Sequence, residues 1–288
     1  MLLIIGLTVV FGSIIGGYIP HGKMEVLWQP LEFVIIGGAS IGGFIIANPK
    51  EIIGGVLKNL GKAFKGAPYN KHSYLELLTL LYTLFRFASS KGPLELERHI
   101  ENPTESSIFT NFPKFTDNEH ARTFLCDYLR MITMGTNNPH EVEALIDEEV
   151  ETHHAEQKRI ADAVTTMADG LPAFGIVAAV LGVITTMGSI LEPPEVLGGM
   201  IGAALVGTFL GVLLAYGVVG PIGHMLNNYA EADTKYYACM KAALVAHMQG
   251  YAPVLSIEFA RKMLFSNERP TFDEVEDAVS GAAQPTPA

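Results

Sequence analysis

Two uncharged stretches decide the fold: Gly170–Leu191, GLPAFGIVAAVLGVITTMGSIL, and Val196–Gly223, VLGGMIGAALVGTFLGVLLAYGVVGPIG. Only the segment EPPE at 192–195 joins them. A helix needs about 20 apolar residues to cross a bilayer, so the two stretches predict a membrane hairpin. Neither stretch holds an acidic residue, although membrane proteins that handle ions normally have an ionisable group in the path. If this protein moves ions, a key charge comes from outside the hairpin.

Two further uncharged runs, Met1–Pro20 and Phe33–Pro49, predict two more spans. The first run lacks the basic n-region and the small-x-small cleavage site of a signal peptide, so we interpret it as a retained anchor. The mean hydropathy of +0.29 with 17% charged residues predicts a sizeable water-facing part as well. The sequence therefore predicts an all-α, polytopic membrane protein with four transmembrane helices and a helical cytoplasmic domain.

The positions of the basic residues predict the orientation, because Lys and Arg near span ends stay on the cytoplasmic side. Basic residues follow the second span and precede the third, whereas the turn between spans three and four has none. We therefore expect both termini in the cytoplasm. The predicted division is 1–49 for the first two spans, 50–169 for a cytoplasmic domain, 170–223 for the last two spans and 224–288 for a cytoplasmic tail, disordered from about residue 280.

The cytoplasmic segments predict helices. Ser73–Ala88 has leucines near helical spacing, and Glu76 and Arg86 confine its uncharged core, so we expect a packed helix rather than a fifth span. Asn138-Pro139-His140-Glu141 predicts a capped helix start. A continuous helix from Pro139 to Leu191 would be about 80 Å long. Further helices are expected over residues 224–248 and 255–265.

Small residues recur along both halves of the hairpin and predict close helix contacts. Two interpretations stay open: packing of spans within one chain, or packing between copies, of which we favour the second. The residues are Gly175, Ala178, Ala179 and Gly182 in span three, and Ala203, Gly207, Gly211 and Ala215 in span four.

Hydroxyl and proline residues in the hairpin each allow two interpretations. Thr185, Thr186 and Thr208 can line a hydrated path or bond back to their own helix. Pro172 and Pro221 can form a matched hinge region or mark span ends.

The sequence gives little support for an enzyme or for a nucleic-acid-binding protein. His153-His154 with Glu151 and Glu156 lacks HExxH spacing, and we expect a solvated helix face rather than a metal site. Cys126 and Cys239 show no metal-binding spacing and fall in predicted cytoplasmic segments, where disulfides are rare. The net charge of -11 argues against nucleic-acid binding. We expect no enzymatic activity, no cofactor and no metal.

The sequence resembles the MotA family of flagellar stator proteins over nearly its whole length. Residues 169–183, DGLPAFGIVAAVLGV, are similar to the third span of that family. Further similarities occur in family order at 29–32, QPLE; 96–103, LERHIENP; 206–211, VGTFLG; 215–217, AYG; and 268–270, ERP.

The resemblance implies a flagellar stator subunit of the bacterial inner membrane that couples proton flow to flagellar rotation, and so serves motility and chemotaxis. It implies a ring of five copies around two copies of MotB, whose helix carries the ion-accepting aspartate. Thr208, Ala179, Thr185 and Thr186 would line the ion path. Pro172 and Pro221 match the two prolines that couple ion flow to torque. Sodium-driven relatives have a threonine where this chain has Ala179, which favours protons.

The resemblance also implies a cytoplasmic contact with the rotor protein FliG. Glu97 matches the acidic residue of the family's rotor-facing pair, but its basic partner position, eight residues earlier, is Ser89 in this chain. Arg86, Lys91 or Arg98 can supply the charge instead, since charges at a solvated interface mainly steer and orient.

Three alternatives stay open. An energiser related to ExbB and TolQ would share the ion-driven core, but those proteins have three spans. A self-contained channel or transporter would need its own intramembrane ionisable residue, and Glu32 at the edge of the second span is the only candidate. A structural scaffold would tolerate substitution of Pro172 and Pro221.

Overall fold

The computed structural model describes residues 2–64, 66–136 and 138–281, and regular structure within these ranges is entirely helical. The predicted all-α class is confirmed. In chain order the helices are α1 Leu2–Tyr18, α2 Met24–Leu27, α3 Pro30–Ala47, α4 Lys50–Ala63, α5 Lys71–Lys91, α6 Pro93–Glu101, α7 Pro113–Thr116, α8 Glu119–Thr133, α9 Pro139–Gly188, α10 Pro194–Leu214, α11 Gly220–Met248, α12 Pro253–Lys262 and α13 Phe272–Gly281. A 3-10 turn spans Phe109–Asn111, and a π-helical turn spans Ala215–Val219.

Helix α9 starts where the sequence predicts. The Asn138 side chain accepts a hydrogen bond from the His140 backbone N–H at 3.2 Å, and its amide donates to Glu141 at 2.8 Å. Pro139 occupies the first helical position, where no intrahelical N–H is needed. The helix then continues for 50 residues, or about 75 Å, past Gly170 and Pro172. The long helix is confirmed.

The chain packs into two compact units, each with its own core. The first consists of residues 1–67 and 156–230, and the second of residues 68–155 and 231–288. This division follows packing rather than a membrane boundary, because α4 and residues 156–169 group with the apolar helices. The boundaries expected at residues 49, 169 and 223 therefore stay predictions.

The first unit contains the apolar helices. Three helical stretches are long and apolar enough to cross a membrane: Met24–Ala47, Pro139–Gly188 and Pro194–Met248. Helix α1 is also apolar but has only 17 residues. Large aliphatic side chains are exposed on this unit, including Ile46 at 88% and Leu205 at 63%. An apolar surface of this extent marks a contact with lipid or protein.

Two buried clusters hold the first unit together. One joins α3, α9 and α10 through Ile36, Leu171 and Leu210. The other joins α4, α9 and α11 through Ile52, Val164 and Leu226. Helix α10 is thus packed within this unit against the second half of α9 and against α3, the helix that carries Glu32.

The second unit has a larger core built around α5. Tyr74, Leu77, Leu81 and Phe85 of this helix are fully buried and pack with α6, α8, α12 and α13. The prediction that residues 73–88 form a packed helix is therefore confirmed. Cys126 and Cys239 are free, and both belong to this core. Burial raises the pKa of the Cys126 thiol to about 12, so the thiol is protonated at neutral pH.

Two boundaries differ from the predicted ones. Helix α3 begins at Pro30, before Glu32, whereas the predicted second span begins after it. Proline is favoured in the first helical turn, and a carboxylate there interacts favourably with the helix dipole, so the helix starts before Glu32. At the other end, α13 continues to Gly281, and the predicted disorder over residues 282–288 lies outside the described residues.

Candidate functional site

Helices α9 and α10 meet along a seam of glycines. A Cβ placed on Gly211 would lie 2.8 Å from both the Gly175 Cα and the Leu171 carbonyl oxygen. A Cβ placed on Gly175 would lie 2.8 Å from the Gly207 carbonyl oxygen. These neighbours are backbone atoms that cannot rotate away, so only glycine allows the two helices to approach this closely.

The seam continues toward the turn, where a Cβ on Gly182 would lie 2.6 Å from the Ala204 Cβ. The small residues therefore act within one chain, and our preference for packing between copies was wrong for these four glycines: Gly175, Gly182, Gly207 and Gly211. The repeat in span four also differs by one position, since Ala204, not Ala203, is the buried contact. A small-residue stripe predicts close approach but does not identify the helix that approaches.

The three threonines of the hairpin differ in their hydrogen bonds. Thr185 and Thr186 donate to the carbonyl oxygens of Leu181 and Gly182, at 3.0 Å and 2.9 Å. Thr208 is half-buried, and its hydroxyl makes no hydrogen bond to any residue that the structure describes. It is thus the one of the three whose hydroxyl stays available to another group.

Glu32 reaches the same seam from α3. A Cβ on Gly207 would lie 2.8 Å from Glu32 Oε2 and 3.0 Å from both the Ala178 Cβ and the Ala179 nitrogen. The acid-free hairpin therefore receives a carboxyl from a third helix. The count of uncharged residues did not predict this contact, because the uncharged run begins only after Glu32. Such a count also gives no information on how far Glu32 lies along the hairpin. The Pro30 helix start was the available signal.

Pro172 lies inside α9 and is half-buried, one residue after the fully packed Leu171. Proline has no N–H, so the carbonyl of Ala168 loses its ordinary i+4 donor. The carbonyl of Leu171 faces Gly211 in the seam. The broken helical bond is thus close to the tightest contact between α9 and α10.

Pro221 follows the π-helical turn. The Gly220 backbone N–H donates to the Ala215 carbonyl, five residues earlier, and a Cβ on Gly220 would lie 2.7 Å from that oxygen. In an ordinary α-helix the ring of Pro221 would clash with the preceding turn, and residue 221 would lack its N–H donor. The π-helical turn changes the pattern of backbone hydrogen bonds at this point. π-Helical turns are frequent at functional sites. Proline after glycine was the only sequence signal for this feature.

The residues expected at the rotor contact flank one corner of the second unit. Arg86 and Lys91 are exposed on α5, Gly92 turns the chain with a φ of +88°, and α6 then carries Glu97 and Arg98. Ser89 donates its hydroxyl to the Phe85 carbonyl at 2.8 Å and supplies no charge. Within the described ranges, neither Glu97 nor the side chains of Arg86 and Lys91 form an ion pair, whereas Arg98 makes an exposed 3.5 Å contact with Glu95.

His99 fixes the inner side of helix α6. Its Nδ1 lies 2.8 Å from the Ser106 hydroxyl, and its ring packs edge-on against Phe87. Burial lowers the pKa of His99, which favours the neutral form of the ring. Helix α6 is therefore held by its buried face while Glu97 and Arg98 stay available.

The adjacent histidines of α9 are not a solvated face, and that prediction was wrong. His153 packs edge-on against Tyr237 and lies 3.9 Å from Asp233, and His154 lies 2.8 Å from the Thr234 hydroxyl. Both are half-buried because α11 packs along this side of α9. Among the described residues, no group of three or more His, Cys, Asp or Glu side chains has a metal-binding arrangement.

Two known families match this chain. The family described as Motility protein A N-terminal matches residues 4–92, and the MotA/TolQ/ExbB proton channel family matches residues 116–238. Both matches include helices of the first and the second unit.

Similar proteins extend over almost the full length of the chain. Motility protein A of Salmonella typhimurium and motility protein A of Escherichia coli are each 44% identical over 99% of this chain and 97% of their own length. Chemotaxis protein LafT of Vibrio parahaemolyticus is 34% identical over 94% of this chain and 96% of its own.

Two solved structures share the fold. The Campylobacter jejuni MotAB structure aligns with a TM-score of 0.77 at 21% identity, covering 93% of this chain and 98% of the other. The flagellar MotAB stator complex from Bacillus subtilis aligns with a TM-score of 0.74 at 24% identity, covering 96% and 98%. Taken with the relatives at 44% identity, these matches confirm the resemblance seen in the sequence. The chain belongs to the motility protein A family of the MotA/TolQ/ExbB proton channel proteins.

Proposed function

We propose that this chain is the membrane subunit of a flagellar motor stator, in which proton flow through the membrane drives rotation of the flagellum. The observation that carries the proposal is the match at 44% identity to motility protein A over 99% of the chain, with the glycine seam of the hairpin intact. The alternative as an ExbB-like or TolQ-like energiser is not favoured, because both relatives at this identity are motility proteins.

The active assembly is proposed to be a ring of five copies around two copies of MotB in the bacterial inner membrane. The solved relatives described as MotAB complexes support the MotB partner. The exposed aliphatic side chains of the first unit support contacts with neighbouring subunits and with lipid, since such surfaces are rare on soluble monomers.

We propose four membrane spans, and the helices of the first unit support this number. Three stretches meet the length for a span, and α1, at about 26 Å, approaches the roughly 30 Å hydrocarbon core closely enough to cross it with local thinning. Lys50 and Lys58 after α3, with Lys158 and Arg159 before the apolar part of α9, favour a cytoplasmic location for both termini.

Thr208 and Ala179 are proposed to face the ion path. The hydroxyl of Thr208 has no partner among the described residues and can bond to water or to the protonated aspartate of MotB. Thr185 and Thr186 are proposed for the same path with a smaller role, because both hydroxyls donate to their own helix and Thr186 is buried. The translocated ion is H⁺, and the chain needs no cofactor and catalyses no covalent reaction.

Torque is proposed to pass from the hairpin to FliG through the ends of spans three and four at which Pro172 and Pro221 lie. Pro172 and the π-helical turn before Pro221 interrupt the regular hydrogen bonding of α9 and of the α10 to α11 connection. Neutralisation of the MotB aspartate would rotate the ring. The exposed corner with Glu97, Arg86, Lys91 and Arg98 would contact FliG.

The function and the coupling ion are tested together by motility. Expression of this chain with its MotB partner in a non-motile stator-deletion strain should restore swimming. We expect swimming to stop when a protonophore collapses the proton gradient and to continue when sodium is replaced by potassium, because Ala179 offers no oxygen to a dehydrated sodium ion. Absence of swimming in every condition would overturn the function, and swimming that survives the protonophore but needs sodium would overturn the ion assignment.

The rotor contact is tested by charge reversal. We expect Glu97→Lys to reduce the swarm diameter to less than about half that of the unmodified chain, since like charges across an interface cost several kcal/mol. Arg86→Ala, Lys91→Ala and Arg98→Ala should each have a smaller effect, because neighbouring charges can substitute. Glu105→Lys, an exposed reversal in the loop after α6, is the matched control. An equal or smaller loss for Glu97→Lys than for any of the three alanine variants would contradict Glu97 as the main contact.

A further inference from the structure

Glu32 is an ionisable side chain that the roles assigned so far do not use. It lies in the first turn of α3, within a stretch long and apolar enough to cross a membrane. The residue as a whole is half-buried, but its Oε2 atom is fully buried and has no hydrogen-bond partner among the described residues. One end of the carboxyl therefore lies inside the helix packing while the side chain still reaches the surface of the unit.

The carboxyl lies near the middle of the apolar hairpin. Its Oε2 lies against Gly207, at the point where a Cβ would also meet Ala178 and the Ala179 nitrogen. Gly207 is about 16 Å along α10 from Val196, and Ala178 is about 12 Å along α9 from Gly170, at 1.5 Å per residue. Both positions are close to halfway through a hydrocarbon core of about 30 Å.

The neighbours of the buried Glu32 Oε2 at Gly207 provide no side-chain compensation for a charge. Gly207, Ala178 and Ala179 have no side-chain donor, and no ion pair of Glu32 occurs within the described ranges. A buried carboxylate is costly unless a proton or a hydrogen-bond donor reaches it. Ionisable residues at membrane depth face a bundle interior or a hydrated path, and they mark routes of ions and protons.

The position of Glu32 coincides with the proposed path. Gly207 precedes Thr208, and the Ala179 backbone lies at the same contact point. Only the absence of a side chain at residue 207 leaves room for the Glu32 oxygen. The seam therefore has two consequences: it brings α9 and α10 together, and it admits a carboxyl from α3 beside the residues of the path wall.

On the basis of the proposed function, we propose that Glu32 is a proton-binding carboxyl of the ion path, supplied by this chain in addition to the aspartate of the partner. A hydronium ion in the path transfers a proton to a carboxylate oxygen of Glu32, so that one O–H bond of the hydronium ion breaks and a water molecule and a neutral carboxylic acid remain. The new O–H bond of Glu32 then breaks as the proton passes to the carboxylate of the partner helix, which regenerates the Glu32 carboxylate. The path thus has two successive proton acceptors.

The test uses the full chain with its MotB partner in a stator-deletion strain. Glu32→Gln keeps the shape and hydrogen-bonding ability of the side chain but cannot bind and release a proton. Positioned proton-transfer groups typically contribute a hundredfold or more to a rate, so we expect the swimming speed to fall by about tenfold or more even if other steps limit the motor. Glu32→Asp should retain measurable swimming, and Glu25→Gln, on the exposed side of α2, should swim normally.

The outcomes separate this proposal from the function itself. If the unmodified chain does not restore swimming, the stator function fails. If it does and Glu32→Gln swims equally fast, with equal amounts of protein in the membrane, the proposal for Glu32 is overturned. Loss of swimming with normal membrane levels supports it.

A second measurement does not depend on a variant. Dicyclohexylcarbodiimide forms a stable N-acylurea with protonated carboxyls in apolar surroundings, and mass spectrometry of the treated wild-type complex locates the adduct. We expect an adduct on Glu32 and none on Glu25. Labelling of the partner's aspartate without labelling of Glu32 would overturn the proposal, even if Glu32→Gln failed to fold.

Discussion

Substitution of Pro172 by alanine should abolish swimming while the protein still reaches the membrane and assembles with its partner. Alanine restores the N–H that proline lacks, so the Ala168 carbonyl regains its helical hydrogen bond. Proline inside a helix is about 3 kcal/mol less favourable than alanine, so the variant should be at least as stable as the unmodified chain. Motility would then be lost because the helix has become regular, and not because the protein has unfolded.

The measurement combines swimming speed with the membrane level and the thermal stability of the purified complex. Pro221→Ala should also abolish swimming. Alanine has the N–H that proline lacks, so the π-helical turn over Ala215–Val219 should change to ordinary α-helical hydrogen bonding. Pro139→Ala is the matched control, because proline at the first position of α9 replaces no helical hydrogen bond. Wild-type swimming of Pro172→Ala would show that torque does not need the interrupted helix.

The helices themselves were predictable because the chain gives local signals for them. Uncharged runs of sufficient length identified α9 and α10, and Asn138 with Pro139 identified the start of α9. These signals depend on neighbouring residues and on hydrophobic periodicity, which the sequence shows directly. The same holds for α5, whose leucine spacing predicted a buried helix.

The placement of Glu32 was not predictable in the same way. Its depth depends on where α3 begins, at Pro30, and on the tertiary contact with Gly207. Neither a count of uncharged residues nor helical periodicity contains that contact. The sequence predicted an ion-handling charge from outside the hairpin and offered Glu32 as the candidate within this chain, but only the structure places that carboxyl against Gly207.

The sequence also could not show which helix packs against the glycine faces of α9 and α10. Small residues every fourth position predict that some backbone approaches closely, but a partner within the chain and a partner in another copy leave the same pattern. The π-helical turn is a similar case. A shift of one residue in the backbone hydrogen-bond pattern leaves the composition and the spacing of residues unchanged. Pro221 is the sequence feature that indicates it.

Gly211→Ala should have the largest effect of any single methyl group in this chain. The added Cβ would lie 2.8 Å from the Gly175 Cα and 2.8 Å from the Leu171 carbonyl oxygen. Overpacking a well-packed core typically costs 1–3 kcal/mol, and we expect at least about 3 kcal/mol here because both obstacles are backbone atoms. The protein should be depleted from the membrane, and swimming should be absent.

The matched control is Gly198→Ala on the same helix, where nothing lies within 4 Å of the added Cβ. This variant should accumulate normally, since alanine is about 1 kcal/mol more favourable than glycine in a helix. Immunodetection of membrane fractions and thermal unfolding of the purified complex measure both variants. Equal levels of Gly211→Ala and Gly198→Ala would contradict the close approach at the seam.

The position of the obstacle also determines which second substitution can restore function. Gly182→Ala brings its Cβ to 2.6 Å from the Ala204 Cβ and to 2.9 Å from the Ala204 Cα. Ala204→Gly removes the nearer of these two atoms, so it should recover part of the lost stability in the double variant. Gly211→Ala has no such remedy, because its neighbour Gly175 is already the smallest residue. Two results together would identify the seam as a close contact between the two helices. Ala204→Gly restores stability to Gly182→Ala, and no substitution at residue 175 restores stability to Gly211→Ala. Failure of the first recovery would mean that the contact with the Ala204 Cα, and not the contact with its methyl group, sets the cost at Gly182.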